Sequence, residues 1–283
     1  MKKILAVSGG VDSMVLLDIF VKKYPSRELV VATFDHGTRE SSETDADFVE
    51  RIARELGIDF YRGKAELGEG VSEEKAREER YKFLKKVAFL EKGEIFTAHH
   101  LDDLVETIAI NFLRGTGFRG LACFSGFGVR RPFLDGFLGE VFDKKDILEY
   151  ASRNSIVFRQ DPTNQSDNYF RNRVREATKK LDKKEKEEIF LLWKKQRAIV
   201  REIEKILEEI LPEDLVFSRS DFREMEKSVA FEVLRAGLLR RGISTTSPQR
   251  ENFLEAILEY YPGKKFNLPE DKLVRINKND FRL

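Results

Sequence analysis

Over roughly its first half the chain alternates short apolar runs with amphipathic stretches. Ile4-Leu5-Ala6-Val7 and Leu29-Val30-Val31-Ala32-Thr33-Phe34 are unbroken, the pattern of strands buried on both faces of a parallel sheet. Further strands are expected around Phe60 and over Glu94 to Ala98, and Arg131-Pro132-Phe133-Leu134 suggests a fifth. Between them fall helical stripes. One carries Val15, Leu16, Leu17, Ile19 and Phe20. A second, opened by a Ser42/Asp45 cap and closed by Gly57, carries Phe48, Ile52, Ala53 and Leu56. A third, capped by Ser72 and stopped by Gly93, carries Ala76, Tyr81, Leu84 and Val87, and Asp143 caps a fourth through Ile147, Leu148 and Tyr150. Strand–helix alternation of this kind predicts an α/β fold with a doubly wound, mostly parallel sheet, whose ligands sit beyond the carboxyl ends of the strands.

From Asp161-Pro162-Thr163-Asn164 the texture changes, through a basic stretch at Asn168 to Leu181 into a charged helical run ended by Pro212. Beyond it, Phe231, Val233, Leu234, Leu238 and Leu239 form a helical stripe. Pro248 to Tyr260 reads as another helix, and strands are expected around Phe266-Asn267-Leu268 and Leu273-Val274-Arg275-Ile276. The expected organisation is a catalytic domain over 1–182, a helical connector over 183–211 and a small α/β domain over 212–283.

Composition narrows the partners. Lys plus Arg (51) nearly balance Asp plus Glu (50), so any nucleic-acid surface must be a local patch. A single cysteine, Cys123, excludes an intramolecular disulfide and a cluster held only by cysteines of this chain, and it reads as a packing residue. The N-terminal apolar run is broken by glycines and Asp12, so no signal peptide or membrane span is read and the expected location is cytoplasmic. Oligomeric state is left open, a homodimer included.

Three polar clusters stand at strand ends. The first is Ser8-Gly9-Gly10-Val11-Asp12-Ser13, where small residues let the backbone turn its N–H groups onto one anion and Asp12 or Ser13 is expected to cap the following helix. It lacks the lysine of a Walker loop and the third glycine of a dinucleotide fingerprint. The second is Asp35-His36-Gly37-Thr38-Arg39. The third is His99-His100-Leu101-Asp102-Asp103-Leu104-Val105-Glu106, which holds two of the three histidines. Adjacent histidines at a strand end point in opposite directions, so at most one of them is expected to face a ligand. Asp103 and Glu106 share a helical face that suits an ammonium group or Mg²⁺, or else they are a solvated first turn behind an Asp102 cap. Zinc is disfavoured without cysteine partners. Arg77 and Arg80 divide evenly between function and a solvated helix face, and Trp193 reads as packing.

The first string resembles the PP-loop of the N-type ATP pyrophosphatases, which split ATP between its α and β phosphates. With Asp35-His36-Gly37, Arg39, Ala76-Arg77, Arg80-Tyr81, the His99 to Thr107 string, Arg114-Gly115-Thr116-Gly117, Arg131-Pro132 and Arg171-Asn172-Arg173-x-Arg175 following in order, most of the chain resembles the tRNA(Ile)-lysidine synthetases. That resemblance implies ATP and Mg²⁺ as cofactors, and free L-lysine and a tRNA(Ile) with a CAU anticodon as substrates. Lysine would be ligated to carbon 2 of the wobble cytidine through an adenylated intermediate, releasing AMP and pyrophosphate. Ser8, Gly9, Gly10, Val11, Asp12 and Ser13, with Asp35, His36, Arg114 and Gly115, would bind the nucleotide, Asp12 also holding the metal. The catalytic set would be Asp12, Arg80, His99, Asp103 and Glu106. Arg80 and His99 would bear on the adenylated cytidine and its leaving AMP, while Asp103 and Glu106 grip the lysine. Arg171, Arg173, Arg175, Arg235, Arg240 and Arg241 would carry tRNA phosphates. The rival readings are a PP-loop tRNA thiolase, disfavoured by the lone cysteine, a PP-loop amide-forming enzyme of small metabolites, and a non-catalytic nucleotide- or tRNA-binding module.

Overall fold

The computed structural model describes residues 1–35, 41–64, 73–124, 128–159, 169–269 and 271–283. It divides into two compact units, Met1–Gln196 and Arg197–Leu283. The first runs β1 (Lys3–Ala6), α1 (Val11–Lys23), β2 (Leu29–Asp35), α2 (Ser41–Glu55), β3 (Asp59–Lys64), α3 (Glu73–Leu90), β4 (Glu94–Phe96), α4 (Leu101–Leu113), α5 (Gly117–Leu121), β5 (Val129–Arg130), α6 (Lys144–Arg153), α7 (Tyr169–Thr178) and the start of α8 (Lys183–Ile210). The strands pair in parallel in the order β3-β2-β1-β4-β5. Strand order therefore reverses between β1 and β4, and beyond the carboxyl ends of those two strands a doubly wound sheet offers its crevice.

Both faces of the sheet are covered, which is why its strands read as continuous apolar runs. Leu5, Val7, Val15, Leu16, Phe20, Val31, Phe96, Phe133 and Ile147 pack on one side, and Ile4, Val30, Ala32, Leu84, Val87 and Ile95 on the other. Gly93 matters by closeness: a Cβ there would stand 2.6 Å from the Lys2 carbonyl, and the left-handed turn that ends α3 is taken by Lys92 instead (φ 49°). A third cluster, Leu101, Leu104, Val105, Leu134, Phe190 and Trp193, seats α4 against the start of α8, and Trp193 donates its Nε1–H to the Cys123 carbonyl at 2.8 Å.

Two local expectations shift. The fifth strand ends at Arg130, because Pro132 has no N–H for a ladder and Arg131 turns the chain, its carbonyl accepting the Leu134 N–H at 2.7 Å. The glycine-rich stretch after α4 is partly helical, over Gly117–Leu121. Ser72, the expected cap of α3, lies outside the described residues, as does the stretch 160–168.

The second unit holds the rest of α8, β6 (Val216–Ser218), α9 (Arg219–Glu224), α10 (Lys227–Arg240), α11 (Ser247–Glu259), β7 (Lys264–Leu268), β8 (Lys272–Ile276) and β9 (Asp280–Arg282). Its antiparallel sheet, in the order β6-β9-β8-β7, packs Phe217, Val274, Ile276 and Phe281 against Leu234, Leu238, Phe253 and Ile257. Buried Arg219 closes the end of α11 by donating to the carbonyls of Ile257, Leu258 and Tyr260. Among the described residues no helix is long and apolar enough to cross a membrane.

Candidate active site

The loop after β1 is built for an anion. Gly9 takes φ +86°, a conformation L side chains avoid, and its carbonyl accepts the Arg159 N–H at 2.9 Å. Gly10, not Asp12 or Ser13, is the N-cap of α1. Ser13 is instead turned back into the loop, its hydroxyl donating to the Gly10 carbonyl at 2.9 Å and accepting the Ser8 N–H at 3.2 Å. The first-turn N–H groups of a helix have no partners within it, so those of α1 point into the crevice. Arg159, which the sequence reading passed over, reaches Asp45 at 2.8 Å beside this loop.

At the end of β4 the two histidines enter opposite electrostatic worlds. His99 donates to or accepts from the Thr97 hydroxyl at 2.9 Å and packs against the Phe124 ring, centroids 5.1 Å apart. Burial, followed by the charges of Arg131, Arg80 and Arg77, pushes its pKa well below the usual 6.5, so the ring is neutral. His100 faces carboxylates: its Nε2 lies 3.8 Å from Asp12 and 3.5 Å from Asp103, and its Nδ1 lies 3.5 Å from Asp102. Burial opposes its protonation, yet Asp103, Asp102 and Asp12 outweigh it and hold the pKa above 6.5. The resemblance singles out His99; His100, which ties the loop after β1 to α4 through Asp12 and Asp103, is not singled out by it.

These opposite shifts have opposite signs in stability. The contribution of protonated His100 is complete below pH 6.5 and is lost as pH rises through its higher folded value. That of neutral His99 is complete above pH 6.5 and is lost on acidification, because only the unfolded chain takes up the proton readily. Melting temperatures measured from pH 5 to 8.5 should therefore lose part of their alkaline decline in His100→Gln and part of their acid decline in His99→Gln. Unchanged slopes in both variants would contradict this assignment.

The α4 carboxylates have distinct partners. The cap of α4 is His100, whose N–H is received by Asp103 at 3.0 Å. Asp102 is therefore not the cap: it accepts the Lys144 N–H and the Lys186 ammonium, both at 2.7 Å, tying α4 to α6 and α8. Burial raises the Asp103 pKa, with Asp12 and Glu106 adding to it against the pull of His100. Glu106 is buried and receives Arg171 Nε at 2.7 Å and Arg175 Nε at 2.9 Å.

That double ion pair changes how the basic segment is read. On helix α7, residues 171 and 175 share a face and 173 does not. Arg171 and Arg175 thus turn inward to buried Glu106, leaving Arg173 exposed. Arg235 is likewise spent inside its own unit, on Glu204 at 2.7 Å and Glu232 at 3.0 Å, whereas Arg240 and Arg241 are exposed at the end of α10.

Asp12 contacts Lys144 Nζ at 2.5 Å as well as His100, and so stands where loop, α4 and α6 converge. Arg80 lies over the Tyr81 ring at 5.5 Å and bears on His99. Asp35 ends β2, buried, 3.9 Å from Arg62. His36 and Arg39 lie outside the described residues. Arg114 and Gly115 are not gathered with the rest. The 13-residue α4 separates them from His100 by about 20 Å at 1.5 Å per residue.

The side chains divide across the crevice: a glycine-turned loop at one strand, cations and a neutral imidazole beside it, carboxylates on the next helix. Parallel topology, switch point and loop define a PP-loop protein. A PP-loop domain model, a family of ATP-binding domains, matches residues 1–181, and the chain belongs to that family. Within it, the chain is 38% identical over 190 residues to the tRNA(Ile)-lysidine synthase of Enterococcus faecalis, covering 64% of this chain and 40% of that protein. It is 30% identical to the Bacillus cereus protein of the same name, covering 97% of this chain and 59% of that one. The chain thus spans about half the length of the curated relatives it matches. Among solved structures, the U34-tRNA thiolase NcsA of Methanococcus maripaludis, with its 4Fe–4S cluster, aligns with a TM-score of 0.56 at 21% identity over 70% of this chain and 73% of that one, a likeness of fold.

Proposed function

We propose that this protein is an AMP-forming ligase that joins free lysine to carbon 2 of the wobble cytidine of a CAU-anticodon tRNA(Ile), after adenylating that cytidine with ATP. The observation that carries the reading is the meeting of a glycine-turned loop with two differently charged side-chain clusters at one switch point, linked through Asp12, His100 and Asp103. Similarity to proteins named tRNA(Ile)-lysidine synthase supports it.

The loop and the first turn of α1 would hold the pyrophosphate part of ATP. The partly exposed Asp12 carboxylate fits a Mg²⁺ that arrives with the nucleotide, since Mg²⁺ is commonly held by one or two carboxylates plus substrate phosphates. Among the described residues no cluster of three or more His, Cys, Asp or Glu could cage a metal by itself. When bound, the ion neutralises charge that builds on the phosphates as the α-phosphorus is attacked.

The cytosine carbonyl oxygen is a poor leaving group until it carries AMP. Neutral His99, with Arg80 and Arg77 near it, faces that side, where negative charge develops. Lysine must attack as a free amine, so a group of elevated proton affinity beside it is useful. Asp103, whose pKa burial and neighbouring carboxylates raise, is suited to take that proton. In this account 1–182 is the catalytic domain, and 212–283, with Arg240 and Arg241, assists in holding tRNA.

Asp103→Ala should raise the lysine KM at least about tenfold, the scale of one lost charge-assisted contact, while tRNA-dependent consumption of ATP persists. Measuring AMP release at varied lysine and varied tRNA separates the two. Equal loss of adenylation and lysine use would remove Asp103 from the lysine side.

A further inference from the structure

We propose that Tyr81, Phe124 and Arg131 form the receptor that reads the extruded wobble base, with Phe124 as its apolar wall and Arg131 and Tyr81 as the groups that distinguish cytosine from uracil. This rests on the function proposed above. It adds three residues with no part in the phosphate, metal or lysine chemistry.

The three belong to one cluster around His99. The Arg131 guanidinium lies 4.7 Å from the centroid of the Phe124 ring, and the His99 ring packs on Phe124 at 5.1 Å. Tyr81 adjoins the same guanidinium and is flanked by Arg77 and Arg80, at 5.1 and 5.5 Å from its ring.

Phe124 is held there against its own preference. Its φ of +62° lies in the left-handed region, uncommon for a bulky side chain and frequent where a site fixes a side chain. Two hydrogen bonds pin the strained segment: Trp193 donates to the Cys123 carbonyl at 2.8 Å, and Arg131 donates to the Phe124 carbonyl at 2.9 Å. The fold thus maintains a backbone conformation that glycine would adopt freely, and what it gains is a ring placed against His99.

Arg131 is 7% exposed and lies over the Phe124 ring, and its Nε is buried without a hydrogen-bond partner. The Tyr81 hydroxyl is also buried without a hydrogen bond of good geometry; it lies close enough to the Arg131 guanidinium to attract it. Buried polar groups are almost always satisfied, so a donor and a hydroxyl left open side by side, next to the catalytic imidazole, point to a ligand that brings the partners.

A pyrimidine edge supplies them. Cytosine offers an acceptor at N3 and donor hydrogens on its 4-amino group; uracil reverses both, with a donor N3–H and an acceptor O4. An Arg131 Nε–H can only donate, so it can donate to cytosine N3 and opposes uracil N3–H. The Tyr81 oxygen then receives a 4-amino hydrogen. A base splayed from an anticodon loop is recognised by such an apolar wall and edge contacts, and a mismatch leaves buried protein groups unpaired.

The test uses the whole protein with two transcripts that differ only in cytidine or uridine at the wobble position. AMP release is measured at varied tRNA and at varied lysine, together with melting temperature. Tyr81→Phe, which keeps the ring and its packing, should lower kcat/KM for the cytidine transcript about tenfold and leave that for the uridine transcript nearly unchanged. The ratio between them then narrows, with lysine KM and melting temperature unmoved. Phe124→Gly, relieved of backbone strain, should fold normally and show a raised KM for tRNA. An unchanged cytidine-to-uridine ratio in Tyr81→Phe, or a shift in lysine KM instead, would overturn the receptor while leaving the ligase reading intact. Wild-type protein that turns over neither transcript would overturn the ligase reading and the receptor with it.

Discussion

Replacing Asp12 with alanine is expected to lower AMP formation by a factor of about a thousand or more while leaving the fold standing, because phosphoryl chemistry depends on placed charge more than on any other single feature. Asp12 meets Lys144 at 2.5 Å and His100 at 3.8 Å. The Asp12 and Lys144 side chains are 33% and 40% exposed, a surface ion pair worth at most about 1 kcal/mol in stability. Thermal melting of Asp12→Ala should therefore stay within a few degrees of the parent. AMP release with ATP, Mg²⁺, tRNA and lysine all present should fall to background. Retention of a tenth or more of the parent rate would remove Asp12 from the phosphate chemistry.

Glu106→Ala should act on both folding and function. The side chain is 8% exposed and receives two guanidinium groups, each about a third exposed. Removing one partner of a fully buried pair costs about 3–5 kcal/mol; partial exposure of the arginines reduces the expected figure to about 2–3 kcal/mol. In a unit of 196 residues that corresponds to a melting temperature lower by about 5–10 °C. Because α7 loses the anchor that draws Arg171 and Arg175 inward, lysine-dependent turnover should fall as well. A melting temperature within 2 °C of the parent would show that this pair does not hold α7 to α4.

The parallel sheet was legible in the sequence because its strands are buried on both faces, and their short unbroken apolar runs alternate with amphipathic helical stripes. Val216–Ser218 and Asp280–Arg282 escaped because each is three residues long and, unlike Glu94–Phe96, is not buried on both faces within an apolar run. The fifth parallel strand was displaced by weight given to Phe133 and Leu134, which are buried from a turn.

The clusters at the strand ends could be located without coordinates, since topology alone brings strand ends together. Their internal pairing could not. His99 and His100 are adjacent in sequence, and only the approach of Arg131 to one and Asp12 to the other separates them. Lys144 and Lys186, the partners of Asp102, come from far along the chain. The arginines of α7 looked like a basic surface because every second residue is basic; helical geometry sends Arg171 and Arg175 one way and Arg173 the other.

In the proposed function, one crevice uses ATP to activate a tRNA base and then delivers lysine to it. The most direct test incubates the protein with ATP, Mg²⁺, labelled lysine and an unmodified CAU-anticodon tRNA(Ile), then digests the tRNA and identifies the nucleoside that carries the label. Label is expected on the wobble cytidine, attached at carbon 2 through the lysine side-chain amine, with one AMP released for each lysine joined. AMP release that needs a sulfur donor or a small-molecule acceptor, with lysine absent from the tRNA, would contradict it.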